Sequence, residues 1–174
     1  MVGTISPYIP ESKNIAVFFG DETFPRLGKG HSNKKFKKAL STMANVLNEL
    51  DVKYVYLPSY KGSNLVAAEI LSRLDIPYTL VIAHPSFGSL SSTRQKLQIA
   101  EASSRADKTI MLGEDTGGNV LFDVEAATED LIDYVTRHCN SIIIAHNNTP
   151  TEKFKKLLKG FDEESFEKQF NFTY

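Results

Sequence analysis

The sequence holds a single cysteine, Cys139, so no internal disulfide can form and no disulfide framework defines the fold. No apolar run approaches the roughly 20 residues that a helical membrane span needs. The first residues, Met1 to Lys13, carry Pro7, Pro10 and several polar side chains but no basic stretch followed by an apolar one, so they do not read as a secretory leader. Charge of one sign is also missing. Twenty Lys and Arg stand against 21 Asp and Glu, a net charge of -1, so bulk nucleic-acid binding through counterion release is not indicated. These absences together predict a soluble chain of cytoplasmic type with no membrane partner.

Several chemistries are missing as well. No His and Cys set has zinc spacing, no Gly-x-x-x-x-Gly-Lys-Ser/Thr occurs, and no Gly-x-Ser-x-Gly occurs, which removes zinc hydrolases, P-loop NTPases and α/β-hydrolases. No metal and no dedicated cofactor is expected. His138 precedes Cys139 directly, but neighbours in a helix point about 100° apart, so the two do not form a nucleophile pair. Cys139 reads as a packed thiol and His138 as a core residue on a helix face.

What is present is enough for one core. The chain of 174 residues has 41% hydrophobic and 24% charged residues, the balance of a globular protein about the size of one domain. No repeat, low-complexity segment or linker divides it. Strand and helix patterns alternate, the signature of βαβ units around a parallel sheet. Asn14 to Phe19 is apolar at every position but the first and stops at Gly20, as expected of a strand covered on both faces. Ser32 caps a helix with Phe36, Leu40, Met43, Leu47 and Leu50 on one stripe. Lys53 to Leu57 reads as a second strand closed by Pro58. Ser63 or Asn64 then caps a helix carrying Val66, Ile70 and Leu74. Tyr78 to Ala83 is a third strand, Ser91 to Ala106 a weakly amphipathic helix, and Lys108 to Leu112 a fourth strand. Asp123 caps a helix with Val124, Ala127, Leu131, Val135 and His138 on one face. Ser141 to Ala145 is the most apolar strand and belongs inside the sheet. Thr149 or Thr151 caps a last helix with Phe154, Leu157, Leu158 and Phe161. The expected fold is an α/β three-layer sandwich with a mostly parallel, Rossmann-like sheet. Its core spans about residues 14 to 160, ahead of an aromatic tail, 161 to 174.

In such a sheet, ligands sit among the loops that leave the C-terminal ends of the strands. Those loops run from Gly20 to His31, Pro58 to Asn64, His84 to Ser89, Gly113 to Asn119 and His146 to Thr151, and they hold His31, His84 and His146. Gly62 lets backbone approach a ligand closely, and Ser63 and Asn64 offer polar groups at a helix N-terminus, where an anion is favoured. An ordinary tight turn with an N-cap has the same residues. Asp21 and Glu22 follow the first strand, where carboxylates can hydrogen-bond base or sugar or hold a metal, although solvated loop acids are the commoner case. Glu69 is placed to reach a ribose hydroxyl or act as a general base, although a helical Glu is most often a solvated charge. His146, Asn147, Asn148 and Thr149 pack donors and acceptors densely between an apolar strand and a helix start. Thr116-Gly-Gly118-Asn119 resembles a phosphate cradle, but two glycines there more often make a simple reversal before Val120-Leu-Phe122.

Gly20-Asp-Glu-Thr-Phe-Pro25-Arg-Leu27-Gly28, Gly62-Ser-Asn64-Leu-Val-Ala67-Ala68-Glu69, His84-Pro85, Ala106-Asp107 and Ile142-Ile-Ile-Ala145 occur in that order. In this the chain resembles the SLOG superfamily of Rossmann-like nucleotide-binding proteins, and within it the YspA/YpsA-type group. The resemblance spans roughly residues 14 to 160. It implies a nucleotide or nucleotide-derived ligand at Gly20, Asp21, Pro25, Gly62, Ser63, Asn64, Glu69, His84, Pro85, His146, Asn147, Asn148 and Thr149. The family's glycine-glycine-threonine turn is replaced by Asn147-Asn-Thr-Pro-Thr151, Asn64 stands where Asp is usual, and the Pro-Gly-Gly-x-Gly-Thr motif is absent. Binding or sensing is therefore expected ahead of catalysis. Cleavage or transfer of an N-glycosidic bond by Glu69, Asp21 or Glu22 is the alternative, as on related folds. A protein-interaction module is a third reading. It rests on the tail residues Phe166, Phe170, Phe172 and Tyr174, which are expected to dock on their own domain or on a second copy in a homo-oligomer.

Overall fold

A computed structural model describes residues 14–20, 34–59, 65–82, 93–112, 130–131, 134–135, 137–139, 141–146 and 169–173. In chain order these form β1 (Ile15–Gly20), α1 (Lys34–Glu49), β2 (Tyr54–Ser59), α2 (Leu65–Arg73), β3 (Tyr78–Ile82), α3 (Thr93–Arg105), β4 (Lys108–Met111), β5 (Ser141–His146) and β6 (Gln169–Thr173). The strands make one sheet in the order β4-β3-β2-β1-β5-β6. Every neighbouring pair is parallel.

The apolar strands are explained by cover on both faces. Ala16 and Phe18 point to one side with Val55, Leu57, Leu80, Ile82, Ile143 and Ala145, against Phe36, Ala39 and Met43 of α1, Ile70 and Leu71 of α2, and Ala102 of α3. Ile15, Val17 and Phe19 point to the other side with Tyr56, Val81, Ile142 and Ile144, against Leu131 and Val135. Full burial of side chains of this size contributes about 1.5–3 kcal/mol each, and these two layers hold the domain together. Of the stripe predicted for α1, Phe36, Met43 and Leu47 are buried, with Ala39 and Val46 added to it; Leu40 is partly buried, and Leu50 is buried just past the helix end.

Three connections, β1 to β2, β2 to β3 and β3 to β4, therefore carry their helices on one face. The connection from β4 back to β5 carries Leu131 and Val135 on the other. Right-handed crossovers demand this change of face whenever the direction of travel across the sheet reverses.

Both α1 and α2 stop in the same way. Asp51 N–H bonds Asn48 C=O and Val52 N–H bonds Leu47 C=O; Asp75 N–H bonds Ser72 C=O and Ile76 N–H bonds Leu71 C=O. These are Schellman caps, with Asp51 at φ 54° and Asp75 at φ 57° in the left-handed region where glycine is the usual residue.

Two expectations are corrected and a third is made specific. Pro58 does not close β2, which continues to Ser59; Pro58 lies two residues past Tyr56, the last residue paired with β1, so a missing N–H is tolerated there. Strand β4 ends at Met111, and Leu112 follows it outside the strand with its N–H on Ile82 C=O at 2.8 Å. The aromatic tail docks on its own domain, as expected, and does so as a strand. Gln169 to Thr173 is the sixth strand, with Phe170 in register with Ile143 and Phe172 with Ala145.

Candidate functional site

The register carries one level across the whole sheet. Met111 stands beside Ile82, Ile82 beside Ser59, Gly20 beside Ala145, and Ala145 beside Phe172. Counting on from the pair Val17 and Tyr56 brings Ser59 level with Gly20. The strands thus end together, and their outgoing loops leave from a single edge.

Along that edge the strand order reverses between β1 and β5. Chain leaving β1 goes on to β2, and chain leaving β5 goes the opposite way to β6, the arrangement at which parallel sheets offer a crevice. Gly20 and His146 are the residues that end these strands. Gly20 is buried, and having no side chain it leaves room for close approach to the backbone at the mouth of the crevice. The segments holding Asp21, Glu22 and Pro25 on one side, and Asn147, Asn148 and Thr149 on the other, leave from these two ends. Those six residues lie outside the described residues.

Sheet order also ranks the other predicted segments. The turn with Gly62, Ser63 and Asn64 leaves β2, one strand spacing of about 4.8 Å from β1, and α2 begins directly after it at Leu65. His84 and Pro85 follow β3, two spacings or about 10 Å away. Thr116 to Asn119 follows the outermost strand β4, about 14 Å from β1. None of these turn residues is among those described, but the strand ends that launch them bring the first group near the reversal and set the other two apart.

Glu69 is described, and it is not a solvated charge. It sits one turn inside α2 with 15% of its side chain exposed. Its Oε1 accepts from Arg73 Nη2 at 2.9 Å, the favourable orientation for a pair four residues apart. The Arg73 guanidinium in turn lies 5.1 Å from the ring centroid of Phe36, a cation–π contact that ties α2 to the first turn of α1. Glu69 Oε2 is fully buried and has no hydrogen-bond partner. Arg73 and Phe36 were not singled out from the sequence as site residues. The i, i+4 spacing of Glu69 and Arg73 was the available signal.

His138 is a structural residue. Its ring stacks on Tyr134 at 4.5 Å and on Tyr56 at 5.6 Å between centroids. Its Nδ1 lies 2.7 Å from Tyr134 C=O, and since a carbonyl only accepts, Nδ1 carries a proton. Burial pushes the Cys139 thiol well above its ordinary range, so it is held as a neutral thiol rather than a nucleophilic thiolate. Among the described residues no three His, Cys, Asp or Glu side chains are grouped to hold a metal ion, and no helix is long and apolar enough to cross a membrane.

The opposite, N-terminal edge of the sheet carries a polar chain that sequence reasoning missed. Tyr54 O–H donates to Asp107 Oδ2 at 2.9 Å and lies 2.5 Å from Thr79 Oγ1. The single Tyr54 proton goes to the carboxylate, so Thr79 O–H donates to Tyr54, and the chain links β2, β3 and the start of β4. It is a brace at the edge away from the crevice.

No protein-family model matches the chain, and no curated protein matches it.

Proposed function

We propose that the chain binds a nucleotide or a nucleotide-derived small molecule in the crevice between the C-terminal ends of β1 and β5. The observation that carries this reading is the reversal of strand order at β1 and β5, with Gly20 paired to Ala145 at its mouth. A parallel sheet offers its ligand site at such a reversal. The glycine-bearing turn before α2 supplies the second element, because the N-terminus of a helix presents unpaired N–H groups suited to an anion. The resemblance of the Gly20 to Gly28 and Gly62 to Glu69 segments to SLOG proteins supports a nucleotide over other anions. Binding is favoured over bond cleavage because Glu69 is held in an ion pair with Arg73. A reducing, cytoplasmic setting suits the lone thiol of Cys139.

The test is a thermal-shift and calorimetric screen of nucleoside mono-, di- and triphosphates against the wild type, with native mass spectrometry for a co-purified ligand. At least one of these should bind, with no free base released. Gly62→Asp, which adds bulk and a negative charge beside the helix N-terminus, should weaken that binding tenfold or more, about 1.4 kcal/mol or above, with folding largely kept. Equal affinity in two folded proteins would remove the Gly62 turn from the site, and a screen without any binder would remove the nucleotide.

A further inference from the structure

Glu69 Oε2 is the buried side-chain oxygen without a partner among the described residues. Leaving such an acceptor unmet is costly, more so for a charged group, and native proteins keep few of them. The side chain is not free to carry this oxygen into water. Oε1 is held by Arg73, and Arg73 is held over the Phe36 ring, itself buried in the core. The carboxylate is therefore fixed in the groove between α1 and α2 with one oxygen awaiting a donor.

Its position in the fold says where that donor comes from. Helix α2 starts at Leu65, directly after the Gly62 turn, and Glu69 lies four residues on, about 6 Å along the axis. Phe36 lies in the first turn of α1, whose N-terminus follows the segment that leaves β1. The oxygen thus sits about one helical turn below the edge from which the proposed anion site at Gly62 would open. The ion pair cancels the Glu69 charge toward a phosphate, and what the oxygen still requires is an O–H or N–H group. With 15% of its side chain exposed, the fixed carboxylate lies at the border of the core rather than deep within it.

Resting on the nucleotide reading above, we infer that Glu69 Oε2 accepts a hydrogen bond from the ribose hydroxyls of the ligand, so that the site selects ribonucleotides over nucleotides lacking the 2′,3′-diol. Arg73 and Phe36 act as positioning residues that hold the carboxylate in place.

The experiment measures Kd for AMP, GMP, CMP and UMP and for their 2′,3′-dideoxy counterparts, against wild type, Glu69→Gln and Glu69→Asp. The ratio of dideoxy to ribo Kd is taken within each protein, so a general loss of stability cancels. A wild-type ratio of tenfold or more that falls toward one in both variants is the expected result; should Glu69→Gln not fold, Glu69→Asp, which keeps the charge but retracts it, carries the comparison. Ribo and dideoxy forms binding the wild type equally would overturn the inference while leaving the nucleotide site intact. So would a preference that survives in the variants, because another group would then read the diol. Failure of all eight probes on the wild type would instead bring down the nucleotide reading and this contact with it.

Discussion

Replacing Tyr54 with Phe tests the brace at the N-terminal edge of the sheet. The substitution keeps the ring against Tyr56, 5.8 Å away, and removes only the hydroxyl. Asp107, at the chain's exposed end of the brace, regains water at little cost. Thr79 cannot, because it is 1% exposed; its O–H is left buried without an acceptor, which costs about 1–3 kcal/mol. Tyr54→Phe should therefore lower unfolding stability by about 2 kcal/mol in urea titrations. Changing Thr79 to Val removes the orphaned hydroxyl, so Tyr54→Phe should cost less than about 1 kcal/mol in that background, and a double-mutant cycle should report the difference as coupling. Strictly additive effects would show that the hydroxyls do not act together. The same network sets an alkaline limit. Burial, with the Asp107 charge adding to it, pushes the Tyr54 phenol well above its ordinary value of 10.0. The folded protein thus keeps a proton that the unfolded chain loses. Stability is full below pH 10 and falls as pH rises beyond it. Tyr54→Phe should flatten that fall. Tyr78, whose phenol is also raised by burial and donates to Ala102 C=O at 2.5 Å, should retain the rest.

Two further outcomes follow from the backbone. Asp75→Gly should raise the melting temperature, by about 1 kcal/mol in stability, because it relieves a left-handed conformation and removes a negative charge from the C-terminus of α2; Asp51→Gly should gain less, since Asp51 also binds Asn14 and Lys53, and a lower melting temperature for Asp75→Gly would refute the strain argument. Hydrogen exchange across Gln169 to Thr173 should show slow amides at alternate positions, those directed at β5, whereas uniformly fast exchange would remove β6 from the sheet.

Most of the sheet was legible in the sequence because burial on both faces writes a continuous apolar run. Asn14 to Phe19 and Ser141 to Ala145 could hardly be anything else, and both lie inside the sheet. Pro58 misled for a local reason. The proline rule concerns one missing N–H, and Pro58 still keeps its place in the ladder beside Val81 of β3. Strand β6 was missed because Gln169-Phe-Asn-Phe-Thr173 offers only a short alternation of polar and aromatic residues at an edge. Its pairing partner lies more than twenty residues earlier, and no local pattern records such a pairing. The aromatic tail was rightly suspected of docking, but aromatic content alone does not distinguish a strand in register from a side chain in a groove.

The candidate site was less legible, because sequence supplies loops while strand order supplies their neighbours. Five polar segments follow five apolar strands, and by composition they are equal claimants. What separates them is that the chain between β4 and β5 returns past β3, β2 and β1 on the opposite face, so that β5 pairs with β1 rather than with β4. Nothing in residues 113 to 140 announces that return, since either direction would bury Leu131 and Val135 equally well. Once it is known, the claims sort themselves. The ends of β5, β1 and β2 are consecutive along the edge and span two strand spacings, about 10 Å, which suits one nucleotide with its phosphate toward α2. The ends of β3 and β4 lie beyond that reach, so on the proposed reading a single ligand held at Gly20 would not extend to the segment with Gly117 and Gly118. A substitution of both glycines there by alanine should therefore leave nucleotide affinity unchanged. If affinity were lost in a folded protein, the ligand would have to cross the edge from β5 to β4, and the crevice at β1 and β5 would not be its main seat.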